Sequence, residues 1–243
     1  MTIAEQMERA LQDALGKSLK AYCEALSHKE LIQPSQKASS LQAEVMRDLL
    51  AYKEVLQEGF KLADATVEKL SILDRSINYA AFKSNMLEAF GKLNTLEDLE
   101  RYSKQVASGS AWSTVLGVTT ESRELMYKAG QEVFSQKQYT QAEAVFCFLT
   151  TIDPMQYAFW IGLGHARFHE AKYTNAVAAY QMAIVCDQSE IWPYFYIANC
   201  YESERDFDHA LSCLKDALDC YKKQDMQDKQ LHEVLMARIA AIT

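Results

Sequence analysis

The apolar positions of this chain recur at helical spacing almost throughout. Leu41, Val45, Leu49, Tyr52, Leu56, Phe60, Ala63, Val67 and Leu70 follow one another at intervals of three or four residues, the period that puts side chains on one face of a helix. Pro34 and the Ser39-Ser40 pair separate that stripe from an earlier one carrying Leu11, Leu15, Leu19, Tyr22 and Leu26. Further positions, Leu73, Ile77, Phe82, Leu87, Phe90, Leu93, Leu96 and Leu99, predict one or two more helices up to about Lys104. Near the C-terminus, Leu231, Val234, Leu235 and Ile239 predict a last helix after the charged stretch Lys222 to Lys229.

The second half adds a longer period. Shifting the chain by 34 residues aligns Gly130 with Gly164 and Ala198, and Ala142 with Ala176 and Ala210, so small residues recur where two helices must touch. The same shift aligns Met126, Trp160 and Tyr194, and then Phe146, Tyr180 and Leu214. Tyr139, Tyr173 and Phe207 also align, each followed by a residue suited to an N-cap: Thr140, Thr174 and Asp208. Each unit therefore reads as a hairpin of two helices, the first running from Arg123 to about Lys137 and from Thr140 to about Thr151, closed by Asp153-Pro154.

Composition supports an all-α chain. Gly is 8 and Pro 3 of 243 residues, too few for the many tight turns of a sandwich, barrel or doubly wound sheet. The formal charge is −8 and is spread over both halves, which disfavours nucleic acid and anionic membrane as partners. The longest uncharged run, Gln105 to Thr120, is too short and too rich in Ser and Thr to cross a bilayer. Glu5 and Glu8 stand where a secretory signal would carry basic residues, and the six cysteines form no C-x-x-C pair, so the chain reads as cytoplasmic with free thiols packed as small hydrophobes.

The repeat resembles the tetratricopeptide repeat. The unit from Tyr157 to Glu190 matches best, with Trp160, Leu163, Gly164, Ala176, Tyr180 and Ala183 in place; the third departs from the pattern in having Ala198 where Gly is usual. The expected architecture is three helix hairpins in a right-handed solenoid, residues 123–156, 157–190 and 191–222, with a C-terminal capping helix over 223–243. Residues 1–107 are expected to form a helical region, either a bundle or an oligomerisation element, joined by a linker and short lead-in over 108–122 that contains Ser108-Gly109-Ser110.

No arrangement of catalytic groups is recognisable: there is no Gly-rich phosphate loop, no G-x-S-x-G and no H-E-x-x-H. His165 and His169 share a helix face at metal-ligand spacing, but no third ligand is evident, so neither a metal nor another cofactor is expected. Binding of a peptide is the better-supported chemistry. A solenoid lines its concave wall with the first helix of each unit, and the columns there hold Tyr127, Ile161 and Phe195, then Phe134 and Phe168, then Gln131, His165 and Asn199, with Trp192 opening the third unit. Of the 26 aromatic residues, 18 lie between Arg123 and Lys222, which makes that wall apolar. Repeat proteins that clamp an acidic C-terminus place Lys, Arg and Asn on these helices. Here Tyr127, Gln131, Ile161, Trp192 and Tyr196 stand instead, so a carboxylate clamp is disfavoured.

The order of motifs from Val115 to Tyr221 resembles the class II chaperones of bacterial type III secretion. Phe146-x-x-Leu149-x-x-x-Asp153 ends the first unit and Gly162-Leu163-Gly164 opens the second, the two most specific echoes. The resemblance implies a chaperone that holds an extended segment of a hydrophobic translocator in its groove, with the secretion apparatus and a second copy of the chain as further partners. The alternative is a general tetratricopeptide scaffold or an assembly factor of the secretion apparatus.

Overall fold

The computed structural model describes residues 57–92, 96–223 and 228–242. Among them there are helices and no strand. Helix α1 covers 57–73, followed by α2 (Tyr79–Gly91), α3 (Leu96–Ala107), the short α4 (Trp112–Leu116), α5 (Thr120–Ser135), α6 (Tyr139–Ile152), α7 (Tyr157–His169), α8 (Tyr173–Cys186), α9 (Trp192–Ser203), α10 (Phe207–Lys223) and α11 (Lys229–Ile242). The chain divides into two compact units, one comprising residues up to Ala129 with Cys147–Asp153, the other Gly130–Phe146 with Pro154–Thr243. The division runs through the hairpin α5/α6, and Ser108-Gly109-Ser110 lies inside the first unit.

The first unit is built on aromatic packing. Phe60, Ala63 and Val67 are buried along α1, and α2 buries Phe82, Met86, Ala89 and Phe90. Phe60 meets Phe90 at 5.7 Å and Phe148 at 5.5 Å between ring centroids, so the C-terminal part of α6 closes a three-ring core with α1 and α2. Asn78 caps α2, its side-chain oxygen accepting from the Ala81 amide at 3.0 Å. Asn85 binds both the Gly117 carbonyl (2.9 Å) and the Thr119 amide (3.0 Å), fixing the chain's entry into α5. Two of the apolar positions that predict these helices face solvent: Leu73 is 83% exposed where α1 ends, and Leu87 is exposed while α2 buries Met86 and Ala89. The expected helices before residue 57, and the side chains of Leu93, Leu96 and Leu99, lie outside the described residues.

The three hairpins turn in the same way without glycine. Lys137, Ala171 and Arg205, spaced by 34, all take left-handed φ of 56 to 60°. The residue after each donates its amide five positions back, Gln138 to Val133, Lys172 to Arg167 and Asp206 to Tyr201, which is the bond of a Schellman helix ending. The next helix begins at Tyr139, Tyr173 or Phe207, so Thr140, Thr174 and Asp208 are not N-caps but first-turn residues. In the third hairpin the capping oxygen is that of Asp206, which accepts from the His209 amide at 3.2 Å.

Within the second unit the small positions are matched to their partners. A methyl group at Gly164 would lie 2.3 Å from Tyr180 Cε1, and one at Gly130 would lie 2.9 Å from Phe146 Cε1. In the third hairpin Ala198 takes the glycine's place, and Leu214, narrower than a ring, takes the aromatic's place; both are fully buried. Hairpins one and two are tied by Glu143, which receives hydrogen bonds from Arg167 (2.8 Å) and Lys172 (2.7 Å). Burial alone would raise the Glu143 carboxyl's pKa, but those two cations hold it below the ordinary value. Helix α11 closes the last hairpin: Leu231 and Leu235 enter a cluster with Ile191, Phe195, Ala198, Leu214 and Tyr221.

Candidate peptide-binding face

Helices α5 and α7 bring four of the expected residues, Phe134, Ile161, His165 and Phe168, close together. His165 has its ring 4.5 Å from that of Tyr196 at 90° and 5.8 Å from that of Tyr180. Phe134 reaches the same group, 5.3 Å from His169 and 6.4 Å from His165. Ile161 and Phe168 are half-buried against Ala176, Val177, Tyr180, Ile197 and Cys200. A cavity of about 200 Å³ opens here, lined by His165, Phe168, His169, Tyr180, Tyr196 and Asn199. That volume suits one side chain, since a cavity of about 150 Å³ accepts benzene.

The electrostatics are set by burial. His165 is pushed down to about 4, first by desolvation and then by the charge of His169, so the ring is neutral at physiological pH. Its Nε2 is shut off from solvent with no hydrogen-bond partner. Burial likewise raises the tyrosine hydroxyls of Tyr180 and Tyr196, and it pushes the Cys200 thiol up to about 12, which leaves that sulfur a packed apolar group rather than a nucleophile.

A depressed histidine pKa has a consequence for stability. The unfolded chain protonates at the ordinary histidine value while the folded chain resists until about pH 4. Stability is therefore full above about pH 6.5 and declines as pH falls toward 4. Chemical denaturation across pH 4 to 7 checks this, with the decline expected to be shallower in His165→Phe than in the parent.

The remaining expected residues fall differently. Gln131 is exposed and Trp192 is 46% exposed, its ring 5.7 Å from Phe195. Tyr127 is half-buried and belongs to the first unit. Phe195 needs correction: it is only 6% exposed and serves the core under α11, with the Arg238 guanidinium 5.6 Å from its ring centroid. Asn199 is half-occupied, its oxygen accepting from Arg238 at 2.8 Å, and Arg238 also donates to Glu202 at 2.7 Å. The cap covers these positions: Leu231 and Leu235 cluster with Phe195, and Arg238 reaches Asn199. Sequence reasoning missed Tyr180 and His169 as wall residues. Tyr180 occupies the core column of the repeat that pairs with Gly164, and it lines the cavity as well.

No family model and no curated protein matches the chain. Among solved structures, the Yersinia enterocolitica type III secretion translocator chaperone SycD superposes with a TM-score of 0.51 at 22% identity, covering 55% of this chain and 98% of its own. A type III secretion complex from Aeromonas hydrophila gives 0.52 at 18% identity, covering 59% of this chain and 95% of its own. At such identities the likeness defines the fold. The chain is an all-α, tetratricopeptide-like helical-repeat protein, built of paired helices with a terminal cap.

Proposed function

We propose that this protein is a cytoplasmic chaperone of a bacterial type III secretion system, holding an extended, apolar-anchored segment of a hydrophobic translocator along the first helices of its repeats. The observation that carries the reading is the ring-lined cavity between α7 and α9, which no Lys, Arg, Asp or Glu lines. A concave face of side chains with bulk and no ionic clamp suits a chain that must be kept from aggregating and later released. The likeness of fold to SycD, itself a translocator chaperone, supports it. Among the described residues no helix is long and apolar enough to cross a membrane.

The energetics fit a reversible holder. Burying two or three client side chains gains about 1.5 to 3 kcal/mol each, and ordering each fixed residue costs about 1 to 2 kcal/mol. The expected affinity for a short segment is therefore roughly micromolar. Coexpression with a hydrophobic translocator tests the reading. The parent chain keeps the translocator in the soluble fraction, and His169→Asp or Trp192→Asp, both at exposed positions, reduces the recovered complex about tenfold or more with an unchanged circular dichroism spectrum. Two folded variants that still hold the translocator would rule the reading out. A general scaffold would instead bind a soluble component of the apparatus and tolerate both changes.

A further inference from the structure

The wall of the α7/α9 cavity contains no aliphatic side chain. Five of its six residues are His165, Phe168, His169, Tyr180 and Tyr196, and the sixth is Asn199. Aliphatic residues are close at hand, since Ile161, Val177 and Ile184 belong to the adjoining cluster, but they do not line the cavity. A recess shaped for a leucine-like side chain has no need of so many rings. The face of a π system is negative and offers a cation what an aliphatic wall cannot.

The charges around the cavity point the same way. No Lys or Arg lines it. The Arg238 guanidinium, which donates to Asn199, is matched by Glu202 at 2.7 Å. Glu190 acts electrostatically on Tyr196, and the chain as a whole carries −8. The His165 imidazole is neutral at physiological pH and so adds no repulsion. The cavity's volume of about 200 Å³ admits a trimethylammonium or guanidinium head.

We infer that this cavity is an aromatic cage for a cation, seating a lysine or arginine side chain of the bound segment while the apolar anchors lie elsewhere along the face. The inference rests on the reading that this face binds a protein segment, but its test does not. Choline and 3,3-dimethyl-1-butanol have the same shape and differ in charge, so titrating each into the full chain, followed by NMR of the His165 and Tyr196 side chains, isolates the cation's contribution. Choline is expected to bind about threefold to thirtyfold more tightly than the neutral isostere. Tyr196→Leu should abolish the preference. Should that variant fail to fold, Asn199→Lys, which places a positive charge at the cavity, should abolish it in its stead. Equal binding of the two probes, a preference for the alcohol, or no shift with either overturns the cage and leaves the chaperone reading to the coexpression assay. Choline preference in a chain that cannot hold a translocator keeps the cage and removes the translocator.

Discussion

Gly164→Ala is expected to lower the melting temperature by about 4 to 8 °C, although alanine favours helix over glycine. The added methyl would stand 2.3 Å from Tyr180 Cε1 and 2.6 Å from Cδ1. Tyr180 cannot step aside, because it is 1% exposed and its ring lies 5.2 Å from that of Tyr196 and 5.8 Å from that of His165. Overpacking costs about 1 to 3 kcal/mol and here sits at or above the upper end, while the propensity gain of about 1 kcal/mol only partly offsets it. The third hairpin supplies the control, since Ala198 is tolerated opposite Leu214. In a double-mutant cycle, Gly164→Ala and Tyr180→Leu should therefore be less damaging together than the sum of their separate effects, by about 1 kcal/mol or more. Additive losses would mean that the methyl and the ring do not compete for one space.

Asp153→Ala is expected to destabilise the first hairpin by about 2 to 4 kcal/mol, measured by urea unfolding. Asp153 is 4% exposed and pairs with Arg123 Nη1, whose guanidinium also reaches Thr120 Oγ1 at 3.0 Å and Ser113 Oγ at 3.4 Å. The pair joins the start of α5 to the end of α6. Removing the carboxylate leaves a largely enclosed guanidinium without its counter-charge, which costs more than the pair itself contributes. A double variant, Asp153→Ala with Arg123→Met, should recover part of the loss, since no unpaired charge then remains. If the single change costs under about 0.5 kcal/mol, the pair is behaving as a solvated surface bridge.

Helices were legible where one physical cause dominated. The 34-residue period located all three hairpins because each needs a small residue opposite a large one at the same place, and Pro154 marked the end of α6 because it cannot continue a helix. The turns were not legible in detail. Lys137, Ala171 and Arg205 hold a left-handed conformation usually left to glycine, so the residues gave no sign of it and the caps were placed about two residues late. The departure at Ala198 looked like decay of the repeat and is a compensated pair instead. Of the candidate face, the columns on α7 were readable from spacing. Phe195 was not, because periodicity shows which side of a helix is apolar but not whether a distant element, here α11, already covers it.

The central claim is that the first-helix face around the α7/α9 cavity holds a segment of another protein. Photocrosslinking tests it most directly: a benzophenone side chain placed at Gln131 or His169, or at Lys215 on α10 as a control, in the chain coexpressed with a hydrophobic translocator, all three positions being exposed. The account predicts adducts with the translocator from positions 131 and 169 and none from 215. Adducts from 215 alone, or from all three alike, would contradict it.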